Sequence, residues 1–240
     1  MTFPIIFLDD GGVMNDNEVR GPQWQHLVGE YFPPILGGAS EAWADANRAY
    51  MEQMFDPVQW EARLQAFTDY HSWDAAYQFD WINGMCVSVG VTTPPAEAAI
   101  ELAHQASAHI LTRVQSAFPG AIDAILALHA AGYTLHTASG ESSRELNGYL
   151  NGMGVRHCFG CLYGPDLINL HKIGPEYFTC ILADCGVAPD TALILDDRRH
   201  VTDWIAAAGA RPLLVDPAAP LNESSIPTLA HLPEWLEQFT

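Results

Sequence analysis

Two textures of apolar and polar positions divide the chain. Over residues 119–216, short apolar runs that stop abruptly at polar residues alternate with longer stretches whose apolar positions recur three and four apart. The short runs have the length of buried strands, and the 3.6-residue spacing marks helices lying against them. Strands are expected at Tyr133–Ala138, His157–Leu162, Ala192–Leu195 and Pro212–Val215. Helices are expected after Pro119-Gly120, with Ile122, Ile125, Leu126 and Leu128 periodic, and at Ser142–Leu150, Pro175–Cys185 and around Thr202–Ala208. Phe3–Leu8 is one more strand-sized apolar run, and Leu229–Phe239 predicts a closing helix that docks its Leu, Trp and Phe side chains. Strand and helix alternating in this way build a parallel sheet with helices on both faces, so the expectation is an α/β doubly wound core.

Residues 20–112 read differently, as long amphipathic stretches with almost no strand signal. They contain Trp24, Trp43, Trp60, Trp73 and Trp81, five of the seven tryptophans. Large aromatic rings at helical spacing form a core more often than a ligand cleft. The expected organisation is therefore a core domain of residues 1–19 and 112–240, interrupted by a helical domain of residues 20–111.

Charge and cysteine content narrow the function classes. The chain carries 29 Asp+Glu against 10 Lys+Arg, for a formal charge of −19, and Lys172 is its one lysine. Such a surface repels phosphate backbones and anionic membranes, so small molecules are the expected partners, with no nucleic acid and no membrane. No stretch reaches the ~20 apolar residues of a membrane span, and Phe3–Leu8 lacks the basic leader of a signal peptide. Five cysteines is an odd, sparse count that points to reduced thiols and the cytoplasm. Cys158 and Cys161 form a single C-x-x-C with no second pair, which reads as thiols packed along an apolar strand.

Chemistry gathers where the expected strands end. The first run ends in Asp9-Asp10-Gly11-Gly12-Val13, the Tyr133 strand in Ser139-Gly140, and the Ala192 strand in Asp196-Asp197. Lys172 precedes the Pro175 helix. In open parallel sheets ligands bind at the carboxyl ends of the strands. Carboxylates, a hydroxyl and an ammonium meeting there make a site for Mg²⁺ and an anion such as phosphate.

These four segments, in this order, resemble the motifs of the haloacid dehalogenase superfamily of aspartate-nucleophile hydrolases, helical-cap subclass. Phe7-Leu-Asp9-Asp10-Gly11-Gly12-Val13-Met14-Asn15-Asp16 is similar to the first motif, and Leu135–Gly140 to the second, with Thr137 the alternative to Ser139. Lys172–Phe178 is similar to the third, and Leu193–Asp197 with Ala206–Gly209 to the fourth. The resemblance implies a Rossmann-like core with an inserted cap at residues 20–111. It implies Asp9 as nucleophile, and Ser139 and Lys172 as catalytic groups that bind the transferring group with Gly11, Gly12 and Gly140. It further implies Mg²⁺ held by Asp9, the carbonyl of Gly11, Asp197 and Asp196, in a phosphatase acting on a small phosphate ester.

One position departs from the motif. In the family's phosphatases a second aspartate, two residues after the nucleophile, protonates the leaving group and later activates water; here that position is Gly11. Asp10 is expected to point away as a solvated or capping residue, and Asp16 is a weak substitute. A phosphonate-cleaving activity would need a cap lysine, and residues 20–111 have none. A 2-haloacid dehalogenase also lacks the second aspartate and would need an arginine for the substrate carboxylate, Arg20 or Arg48. It has no need of the Asp196-Asp197 pair. A third alternative is a degenerate protein that binds a phosphate ligand without turning it over. Arg198-Arg199, directly after the acidic pair, read as surface arginines at a helix start, the alternative being that they screen those carboxylates or contact substrate; His200 and His136 read as structural residues.

Overall fold

The computed structural model describes residues 5–56, 60, 62–64 and 66–239. The expected strand at Phe3–Leu8 therefore begins, as described, at Ile5 (β1, Ile5–Leu8). The chain forms two compact units, one of residues 1–17 with 115–240 and one of residues 18–114.

The first unit is built on a six-stranded parallel sheet in the order β3-β2-β1-β4-β5-β6. Its strands are β1, β2 (Thr134–Ala138), β3 (Phe159–Tyr163), β4 (Ala192–Asp196), β5 (Arg211–Val215) and β6 (Ser225–Ile226). Alternate residues serve opposite faces. Ile6, Leu8, Leu135, Leu193, Leu195, Leu213 and Val215 belong to one core, while Phe7, Ala138, Tyr163, Ala192 and Ile194 belong to the other. Because both faces are buried, the strands read as continuous apolar runs rather than as alternating ones.

Helices close each face. Ala121–Ala130, Ser143–Gly152 and Leu232–Phe239 supply Ile125, Leu128, Leu146, Leu150, Trp235 and Leu236 to the first core. Pro175–Cys185 and Arg199–Ala207 supply Tyr177, Phe178, Ile181, Val201 and Ile205 to the second. Burying this many apolar side chains, at roughly 1.5–3 kcal/mol each, is what holds the three layers together.

Several boundaries differ from the sequence pattern. His157 and Cys158 lie in a 3₁₀ turn ahead of β3, and Leu229–His231 is a second such turn before the last helix. The two-residue β6 carries too short an apolar run to be read in advance. Cys158 is buried in the first core, whereas Cys161 is exposed. The C-x-x-C is thus not a packed pair, because the chain turns between the two thiols before pairing as β3. All five cysteines are free.

The second unit is helical, with Asn17–Tyr31, Pro33–Leu36, Ser40–Met54, Tyr70–Val89 and Ala96–Leu111 among its described elements. Its tryptophans are core residues. Trp43 and Trp81 are fully buried, Phe32 stacks on Trp43 at 4.9 Å, and Trp60 meets Trp73 edge-on at 5.7 Å. Arg48 is held on its own helix by Asp45 at 2.9 Å and Glu52 at 3.6 Å. No described helix is long and apolar enough to cross a membrane.

Candidate active site

Sheet register brings the polar strand ends together. Leu8 pairs with Thr137 on one side and Leu195 on the other, so Asp9 lies level with Ala138 and Asp196. This is the point where the strand order reverses, β1 leading outward to β2 and β3 on one side and the chain crossing back to β4 on the other, and it opens the crevice typical of doubly wound sheets. Asp9 N–H still donates to the Leu195 carbonyl at 3.2 Å, which extends the ladder to the residue that carries the carboxylate.

Carboxylate oxygens of Asp9, Asp196 and Asp197 lie within 4.8 Å of one another. An all-oxygen, mostly buried set of carboxylates suits a hard divalent cation such as Mg²⁺ rather than a thiolate-loving metal. The backbone is shaped around the set. Gly12 has φ +83°, and a β-carbon on it would stand 2.2 Å from Asp197 Oδ2, so this turn accepts only glycine. The donor set and the cradle fit the metal expected from the sequence.

Lys172 sits between the carboxylates. Its Nζ lies 2.6 Å from Asp196 Oδ2, 3.1 Å from Asp9 Oδ1 and 2.9 Å from the Ala138 carbonyl. An ammonium has three N–H donors, and these three oxygens engage all of them. In this arrangement Lys172 organises the carboxylates, and contact with a ligand requires it to give up one partner. Burial disfavours the charged lysine, but Asp9 and Asp196 outweigh it and hold the pKa above the usual lysine value.

The carboxylates are tuned apart. Burial opposes ionisation of Asp9, yet the charges of Lys172 and then Arg198 overcome it, and Asp9 stays below the ordinary carboxylate range. Burial and the neighbouring Asp9 raise Asp196. Asp197 is pushed up to about 6 by burial and then by Asp9 and Asp196. Asp9 is thereby the most readily ionised member of the group.

Ser139 is the hydroxyl that faces the cluster. Thr137, the other candidate, donates its hydroxyl to the Tyr163 carbonyl at 3.2 Å inside the sheet. Ser139 Oγ donates to Glu141 Oε2 at 2.5 Å, and its backbone carbonyl accepts from Tyr177 Oη at 2.7 Å. Burial and nearby carboxylates keep Tyr177 protonated as that donor. The following residues are fixed by a capping box, in which Ser142 and Glu145 satisfy each other's backbone at the start of Ser143–Gly152. Gly140 is exposed, with nothing within 4 Å of its would-be β-carbon.

The first loop corrects two expectations. Asp10 is fully buried rather than solvated: its Oδ1 accepts from Asn15 Nδ2 at 2.7 Å, and its carbonyl accepts the Met14 and Asn15 N–H groups. It is a turn-holding residue. Gly12 N–H donates to the Asn15 carbonyl at 2.8 Å, so that amide is engaged within the turn. Gly11 carries no acid, and the Asn17 side chain lies 2.8 Å from where its β-carbon would be.

Of two further charged residues at the site, Arg198 reads from the sequence as a surface arginine and Glu141 is not singled out at all. Arg198, expected as a surface residue, reaches Asp196 Oδ1 at 3.6 Å and Asp197 Oδ1 at 3.8 Å, with its backbone N–H on Asp196 Oδ1 at 2.9 Å. Glu141 stands two residues beyond Ser139. Position beside a motif was the only signal available for either.

A doubly wound sheet with an aspartate at its central strand end, a paired lysine and an acidic couple beside it makes up the candidate site. The profile of the haloacid dehalogenase-like hydrolases matches residues 39–212, and the chain belongs to that family. Solved structures agree in fold over essentially the whole chain. L-2-haloacid dehalogenase from Xanthobacter autotrophicus, with chloropropionic acid covalently bound, is 15% identical, with TM-score 0.62 and 100% of both chains covered. A magnesium-bound HAD-hydrolase from Bacillus subtilis is 14% identical, with TM-score 0.64, covering 98% of this chain and 99% of its own. A predicted phosphoglycolate phosphatase from Haemophilus somnus is 14% identical, with TM-score 0.57 and 98% of each chain covered. No match was found among curated proteins.

Proposed function

We propose that this hydrolase is a Mg²⁺-dependent phosphatase of a small organic phosphate, with Asp9 as nucleophile. The observation that carries the reading is the convergence of Asp196 and Asp197 on Asp9, with Gly12 leaving the space for Asp197. A metal-independent dehalogenase has no use for that couple. In this reading Asp9, Asp196 and Asp197 hold the ion, which when bound offsets the negative charge of the transferring group.

Asp9 Oδ attacks phosphorus and the ester oxygen departs, leaving a phosphoaspartate that water then hydrolyses. Lys172 keeps Asp9 ionised and aimed, and Ser139 supplies the hydroxyl beside the transferring group. With glycine at position 11, leaving groups that depart without a proton are favoured. Five free thiols suit a reducing compartment such as the cytoplasm.

The second reading, 2-haloacid dehalogenase, is favoured by the same glycine, because halide leaves unprotonated. Hydrolysis of p-nitrophenyl phosphate that is lost with EDTA and with Asp9→Asn supports the phosphatase. Metal-independent halide release from 2-chloropropionate overturns it. If Mg²⁺ and phosphate raise the melting temperature while a broad ester panel stays intact, the protein is a binding member of the family.

A further inference from the structure

Hydrolysis of an aspartyl intermediate needs a group that takes a proton from the attacking water, and the usual position for it is Gly11. Asp10 does not replace it, being fully buried with its Oδ1 on Asn15. Asp196 and Asp197 are engaged with Lys172 and Arg198. Glu141 remains. Its Oε2 accepts the Ser139 hydroxyl at 2.5 Å, and Ser139 follows Ala138, which lies level with Asp9 across the β1–β2 register.

The Ser142 capping box and the Tyr177 bond to the Ser139 carbonyl hold the backbone on either side of the Ser139–Glu141 contact.

We infer that Glu141 is the general base for the second half-reaction, the role left vacant by Gly11. Water loses a proton to a Glu141 oxygen as its own oxygen bonds to the group carried by Asp9. The bond between that group and Asp9 Oδ breaks, regenerating the carboxylate, and the proton then passes from Glu141 to solvent. The first half-reaction receives no proton from Glu141, so the leaving group departs as an anion. The inference rests on the reading of Asp9 as nucleophile.

The test is pre-steady-state hydrolysis of p-nitrophenyl phosphate with Mg²⁺ by wild type, Glu141→Gln, Glu141→Asp and Asp9→Asn. For Glu141→Gln the expected result is a burst of p-nitrophenolate stoichiometric with enzyme, then turnover lowered by ~10²-fold or more. Phosphorylated enzyme should be visible by intact mass, and Glu141→Asp should partly restore turnover. A merely structural role would depress burst and turnover together, and that outcome, or unchanged turnover, overturns the inference while leaving an Asp9-dependent phosphatase standing. Wild type no more active than Asp9→Asn removes the nucleophile reading itself, and the inference with it.

Discussion

The Asp197 carboxylate occupies the volume that a side chain on Gly12 would need, with Oδ2 only 2.2 Å from the would-be β-carbon. Gly12→Ala should therefore displace Asp197 and strain a backbone held at φ +83°. Left-handed backbone costs a non-glycine residue roughly 1–2 kcal/mol, so the fold survives. Mg²⁺ affinity by titration calorimetry should fall at least tenfold while circular dichroism stays native. Unchanged affinity would mean that Asp197 is not a ligand.

Lys172→Arg should cripple turnover although charge is kept. The three oxygens around Nζ are arranged for a compact ammonium, and a planar guanidinium cannot direct its donors to all of them. Lys172→Met should in addition destabilise the metal-free protein by about 3–5 kcal/mol, because it removes the buried ammonium that faces two buried carboxylates and leaves only the half-exposed Arg198 near them. Urea unfolding checks the second claim and steady-state kinetics the first; near-normal activity of the arginine variant would break the argument.

Gly11→Asp should be accommodated, because the atoms it meets are the amide end of the exposed Asn17 side chain, which can swing aside. If only the acid is missing, the variant should gain most on alkyl phosphates, whose leaving groups need a proton, and least on p-nitrophenyl phosphate. The ratio of kcat/KM for the two substrate types is the measurement, and a ratio that does not move assigns the glycine to another leaving group.

Stability should decline in mild acid through His136. Its Nδ1 accepts the Cys161 N–H at 2.9 Å, so the neutral ring is the form that the fold holds, and burial lowers its pKa. The folded value lies below the unfolded one, so this stabilisation is complete above about 6.5 and is lost as pH falls through the folded value. The melting temperature of His136→Gln should depend less on pH over that interval. Parallel melting curves for the two proteins would dismiss this role.

The sheet was legible because both of its faces are buried, which turns each strand into an unbroken apolar run ending at a polar residue. Ile5–Leu8 before Asp9 and Ala192–Leu195 before Asp196 are the clearest cases. The two-residue β6 and the turn at Arg156–Cys158 were not legible, since neither has enough apolar residues to set a period. Residue types at the site could be read from their order along the chain, but their contacts could not. Burial of Asp10 depends on the Asn15 amide folding back, the reach of Arg198 on a side-chain conformation, and the bond from Ser139 to Glu141 on a capped helix start.

The order of the strands also governs how the protein is made. β1 leaves the ribosome well before its neighbours β2 and β4, whose partner residues begin at Thr134 and Ala192. Contacts so distant in sequence close slowly, since the intervening chain must be ordered before they form. A nascent chain that has not reached Asp196 and Asp197 carries Asp9 without the acidic couple, so the site is completed only once β4 has been made.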